Sequence, residues 1–126
     1  MKTILVDAWR TFITDEGMFE EMKQLLDSYE NEKIILTSAT EEQRQKLGIV
    51  DMPYPVFSLS HDPEKQDPLY YKTMLEHFSL TPEEAVYFEH NEEAVETARS
   101  VGITAHHYDK DAKNLKALKN FLDNNL

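Results

Sequence analysis

Cysteine is absent from the 126 residues. That removes disulfides, thiolate catalysis and zinc–thiolate sites, and it agrees with a reducing cytoplasm, the expected location. Long hydrophobic runs are absent too: nothing approaches the roughly 20 apolar residues that span a bilayer, so no membrane partner is expected. The basic N-terminal start leads into a short apolar stretch that ends in Asp7, unlike a secretion signal. Positive charge is scarce, with 13 Lys and Arg against 24 Asp and Glu and a formal net charge of −11. Binding a nucleic-acid backbone needs clustered Lys and Arg, so nucleic acid is not an expected partner. Any phosphate site must instead draw on local cations. There is no linker, repeat or low-complexity stretch, and the length suits a single domain over 1–126 with an ordinary core.

Five short β-branched or aromatic runs bounded by turn residues predict strands at Thr3–Val6, Lys33–Leu36, Val56–Leu59, Ala85–Phe88 and Ile103–His107. Between them, apolar residues recur at three- and four-residue spacing and predict helical faces. The faces are Met18, Met22, Leu25 and Tyr29; Tyr71, Leu75 and Phe78; Ala94, Ala98 and Val101; and Leu115, Leu118 and Leu122. Thr81-Pro82-Glu83-Glu84 carries the proline and acid of a helix start, Asn91 is placed to cap the next helix, and Gly102 to close it. Glu41-Glu42 and the Lys-rich last segment read as solvated helix faces. The alternation predicts an α/β fold, a parallel sheet covered on both faces by helices.

In such sheets ligands bind beyond the carboxyl ends of the strands. Asp7, Thr37-Ser38 and Glu89-His90 all fall at strand ends and are expected to converge. An acid that ends a buried strand before a tight turn is a way to present a nucleophile or a metal ligand.

The chain resembles the haloacid dehalogenase-like (HAD) superfamily, mostly phosphatases with an aspartate nucleophile, through four motifs in order. Asp7-Ala8-Trp9-Arg10-Thr11 is similar to the family's Asp-x-Asp-x-Thr after an apolar strand. Ile34-Ile35-Leu36-Thr37-Ser38 resembles its strand ending in a hydroxyl residue, with either Thr37 or Ser38 the match. Lys65-Gln66-Asp67-Pro68-Leu69-Tyr70-Tyr71 resembles its Lys-Pro-Asp-Pro-x-x-Tyr. Tyr87-Phe88-Glu89-His90-Asn91, with Ala94, Ala98, Arg99 and Gly102-Ile103, resembles its acid-ended strand followed by a helix and Gly.

The resemblance implies a three-layer α/β/α sandwich, Rossmann-like, with sheet order 3-2-1-4-5. It implies Asp7 as the nucleophile, Lys65 holding charge on Asp7 and the phosphoryl oxygens, and Thr37 or Ser38 bonding a phosphoryl oxygen. It also implies a magnesium ion held by Asp7, the carbonyl of Trp9, and an acid of the fourth motif, whose positions here are Glu89 and His90. Two positions depart from the family pattern. Trp9 replaces the second Asp, and indole cannot act as the acid/base, help worth about 10²–10⁴ in rate. His90 replaces a directly coordinating Asp, and imidazole is a poor magnesium ligand, which weakens the expectation of magnesium.

Asp7-Ala8-Trp9-Arg10-Thr11 also resembles the Asp-Ala-Tyr-Gly-Thr of metal-free haloacid dehalogenases. Those enzymes enclose their substrate with a helical cap, and only one helix fits between Asp7 and Lys33. No cap domain is expected, and dehalogenation is disfavoured. An open site in capless relatives goes with macromolecular phosphoesters or with closure by oligomerisation, beside small phosphorylated molecules.

Plainer roles exist for each position. Asp7 can cap the turn that follows it, Thr37 and Ser38 can satisfy strand-end backbone, and Lys65 can be a solvated lysine. Glu89 can complement a helix dipole, and His90 can be an ordinary polar residue before the Asn91 cap. Trp9 can plug the crevice, and Arg10 can pair with Asp7 or meet an anion. His61, His106 and His107 show no ligand spacing. Two functions therefore follow: a phosphatase-type hydrolase with a reduced acid/base and metal site, or an inactive HAD-like scaffold that binds a partner or an anion.

Overall fold

The computed structural model describes residues 1–126. In chain order the elements are β1 (Thr3–Asp7), β2 (Ile13–Thr14), β3 (Gly17–Met18), α1 (Glu20–Asp27), β4 (Lys33–Thr37), α2 (Glu41–Leu47), β5 (Val56–Ser58), α3 (Pro68–His77), β6 (Ala85–Glu89), α4 (Glu92–Ser100), β7 (Thr104–His107) and α5 (Leu115–Asn125). Five strands form one parallel sheet in the order β5-β4-β1-β6-β7, with β1 central. This is the 3-2-1-4-5 order expected for the five main strands.

Strand alternation divides the sheet into two faces. Ile4, Val6, Ile35, Val86 and Phe88 face one side and pack with Met22 and Leu26 of α1 and with Leu118 and Leu122 of α5. Leu5, Ile34, Leu36, Ala85 and Tyr87 face the other side, against Tyr70, Tyr71 and Met74 of α3 and Val95 and Ala98 of α4. The result is an α/β/α sandwich with no cap domain. No helix is long and apolar enough to cross a membrane.

Several local expectations change. β1, β4 and β6 each run one residue further, so Asp7, Thr37 and Glu89 are the last residues of their strands. Met18 belongs to the β2–β3 hairpin rather than to a helix, and Tyr29 lies beyond the end of α1. Thr81–Glu84 forms its box of hydrogen bonds but only a single 3₁₀ turn, Pro82–Glu84. Ala85 is already extended there, because its strand must pair with β1. Asn91 caps α4 through the Ala94 amide at 3.0 Å, and Gly102, with φ of 97°, ends it.

Candidate active site

The parity that builds the core also builds the site. Asp7 is two residues beyond Leu5, and Glu89 two beyond Tyr87, so both acids end their strands on the face covered by α3 and α4. Lys65 reaches them from the turn before α3. Asp67 donates its amide to the Glu64 carbonyl at 3.0 Å and caps α3 by accepting from the Leu69 amide at 2.9 Å, with Pro68 opening the helix. This short start fixes Lys65 beneath the strand tips.

Lys65 Nζ donates to Asp7 Oδ1 at 2.7 Å and to Glu89 Oε1 at 2.9 Å. Asp7 Oδ2 accepts from Thr11 Oγ1 at 2.6 Å and meets His90 Nδ1 at 2.5 Å. Glu89 Oε1 also accepts from Tyr87 Oη at 2.5 Å, and Oε2 accepts from the Asn91 amide at 3.0 Å. Asp7, Lys65 and Glu89 are all buried. They form the floor of a cleft of about 230 Å³ whose walls include Trp9, Thr37, Ser38 and His90. The Thr37 hydroxyl oxygen accepts from the Ala39 amide at 3.2 Å, while the half-buried Ser38 hydroxyl bonds to no other residue.

Every site residue anticipated from the sequence therefore lines one cleft. Trp9 forms part of its wall. Arg10 turns away, with φ of 68°, and lines a separate charged depression with Asp15, Glu16, Lys110 and Lys113. Sequence reasoning passed over three groups. Thr11 and Tyr87 lie within the motifs, and the i,i+2 spacing of Tyr87 and Glu89 on one strand face is the signal for their contact. His61 was assigned nothing; it lies at the rim, with Nδ1 2.7 Å from Glu64 Oε1 and Nε2 2.5 Å from Gln43 Oε1. Nothing in its spacing announced this.

The chain is similar in structure to a HAD family enzyme from Bacteroides thetaiotaomicron, solved as an aspartate-to-alanine mutant with magnesium and inorganic phosphate. The TM-score is 0.71 at 11% identity, covering 87% of this chain and 95% of that one. The fold is that of the HAD superfamily. An uncharacterized protein from Corynebacterium glutamicum matches with a TM-score of 0.64 and 14% identity over 98% of this chain and 96% of the other. A HAD-superfamily hydrolase of subfamily IA, variant 1, from Geobacter sulfurreducens matches with 0.57 and 22% over 73% of this chain; the match spans 47% of that longer protein. No family model and no curated protein matches the chain.

On this HAD scaffold the charges at the strand tips are tightly coupled. Burial works to raise the pKa of Asp7, but the Lys65 ammonium and the hydrogen bond from His90 outweigh it and hold the carboxyl well below the usual range. Glu89 moves the other way, pushed up to about 7 by burial and by repulsion from Asp7, against the pull of Lys65. Burial would lower the pKa of Lys65, yet the charges of Asp7 and Glu89 raise it well above its ordinary value. The ammonium stays charged, Asp7 stays ionised, and Glu89 is the acid that takes up a proton first.

Ligand atoms of Asp7, Glu89 and His90 lie within 4.8 Å of one another, close enough to share one ion. Magnesium prefers oxygen ligands in near-octahedral array. Here both oxygens of Asp7 and both of Glu89 already accept from protein donors, and His90 brings nitrogen directed at Asp7. As arranged, these residues do not fit magnesium: an ion on Asp7 Oδ2 would have to displace the His90 ring.

Proposed function

We propose that the cleft binds a phosphorylated molecule and that the chain is a HAD-like hydrolase of the phosphatase type with Asp7 as nucleophile. The observation that carries this reading is the buried Lys65–Asp7 pair at 2.7 Å on the tip of the central strand, facing an open cleft. The phosphate bound by the Bacteroides HAD family enzyme supports a phosphoryl ligand. The cleft volume suits a small phosphorylated compound, or the phosphoester end of a larger one left uncovered by the missing cap.

An Asp7 carboxylate oxygen attacks phosphorus in line as the bond from phosphorus to the leaving oxygen breaks, giving an aspartyl phosphate and the departing anion. Lys65 neutralises charge on the attacking oxygen. Water then attacks that phosphorus, releasing inorganic phosphate and a proton and restoring the Asp7 carboxylate. Trp9 gives no proton to the leaving group and takes none from the water. The reading therefore favours leaving groups stable as anions, such as aryl and acyl phosphates, and a slow second step.

The test is rapid-quench hydrolysis of an aryl phosphate. The expected result is a burst of phenolate with acid-stable, hydroxylamine-sensitive phosphate on the wild-type chain, and neither on Asp7→Asn. Turnover unchanged in Asp7→Asn, or no turnover on any aryl or acyl phosphate, overturns the hydrolase. A second reading, phosphate binding without turnover, is favoured by Trp9 and by the four hydrogen-bonded carboxylate oxygens; it expects saturable binding with no burst.

A further inference from the structure

We propose that His90 takes the place of the divalent cation in this cleft, so that a phosphoryl group is held by Lys65 and His90 without a metal. The inference rests on the phosphoryl reading of the cleft. Two buried carboxylates side by side repel, and a cation set between their oxygens relieves this. Lys65 does so on one side, bridging Asp7 Oδ1 and Glu89 Oε1.

On the other side His90 Nδ1 lies 2.5 Å from Asp7 Oδ2 and 3.3 Å from Glu89 Oε2, the remaining oxygen of each acid. Asp7 and Glu89 are the acids that would hold a dication, and Nδ1 already stands against an oxygen of each. An ionised carboxylate only accepts, so Nδ1 carries the proton of the 2.5 Å contact. The ring is steadied through its backbone, where His107 Nε2 lies 2.9 Å from the His90 carbonyl.

The rest of the ring is free to act. Nε2 bonds to no other residue, the side chain retains 20% exposure, and the ring lines the cleft. Two carboxylate oxygens within 3.3 Å of Nδ1 favour a positive charge on the ring. With Nδ1 on Asp7 and Nε2 unpaired on a ring that lines the cleft, His90 offers an anion a donor beside the Lys65 ammonium. Losing one charge-assisted bond of this kind weakens binding by about tenfold or more.

Trp9 is the only tryptophan and lines the same cleft, so its fluorescence reports occupancy. Inorganic phosphate is titrated into the wild-type chain in chelator and again in millimolar magnesium, with calorimetry in parallel. The expected result is saturable binding in chelator, changed less than about twofold by magnesium. His90→Asn should weaken that binding by about tenfold or more, and His90→Asp should bind phosphate only when magnesium is added. Thermal unfolding of each variant establishes that it is folded.

Phosphate binding that needs magnesium in the wild-type chain overturns the proposal and leaves the hydrolase reading standing. So does a His90→Asn variant that is folded and binds phosphate as the wild type does. No phosphate binding with or without magnesium overturns both.

Discussion

A buried lysine is stable only because of what surrounds it, and Lys65 is 8% exposed between two acids. Removing its charge leaves Asp7 and Glu89 unrelieved on that side. Lys65→Met is expected to destabilise the chain by about 3–5 kcal/mol, the range for breaking one partner out of a buried ion pair. Urea unfolding measures it; a loss under about 1 kcal/mol would mean that water already screens the cluster. Glu89 gives a pH signature. Its raised pKa means that the folded chain holds a proton that the unfolded chain releases near its ordinary 4.5. That stabilisation is complete below about 4.5 and is lost as pH rises through about 7. Glu89→Gln cannot titrate, so its urea midpoints should fall less than those of the wild type between about pH 4 and pH 8, roughly half a unit and one unit outside that window. Identical slopes for the two proteins would contradict the assignment of the proton to Glu89. Asp7 acts oppositely: its lowered pKa stabilises the fold above its ordinary value of 3.8 and fails in acid.

At the scale of elements, helix α4 ties the fold to the site. Asn91 accepts from the Ala94 amide to cap it, while its own amide donates to Glu89 Oε2. Asn91→Ala removes the side-chain cap and keeps that amide, so the expected cost is about 1 kcal/mol in unfolding free energy. Phosphate affinity should stay within about twofold, a change worth under half a kcal/mol. A large loss of affinity would show that the cap side chain itself orders the strand tip. This cap was legible in the sequence, as were all five main strands, because apolar runs and turn residues carry local signals; their order followed only from the resemblance to the HAD superfamily. The convergence of Asp7 and Glu89 was legible as well, since both end apolar strands. The β2–β3 hairpin was not: two-residue strands carry no period, and Met18 fits a helical face equally well. His90 was harder still. A polar residue before a helix cap reads the same whether it faces water or a buried carboxylate, and only the distances to Asp7 and Glu89 distinguish the two.

The molecule as a whole repels what its cleft would bind. A net charge of −11 surrounds a site whose local cation is Lys65, with His90 beside it as the second donor proposed above. The contacts inside are short and buried, so dissolved salt screens them weakly, while the field of the exposed acids is screened over about 30 Å at 0.01 M and about 8 Å at 0.15 M ionic strength. Raising salt across that range should therefore strengthen phosphate binding, chiefly through faster association. A protein that recruits anions with a basic surface does the reverse, losing affinity as salt rises. Stopped-flow Trp9 fluorescence with phosphate at several sodium chloride concentrations separates the two. If association slows as salt rises, the depression around Arg10, Lys110 and Lys113 becomes the better account of how anions arrive, because three cations gather there, beside Asp15, Glu16 and Asp111. If association quickens, the surface acts only as a barrier, and recognition belongs to the few groups at the tips of β1 and β6. In that case the chain's selectivity depends on how strongly Lys65 and His90 offset the charge around them, which ties the behaviour of the whole molecule to the two contacts on Asp7.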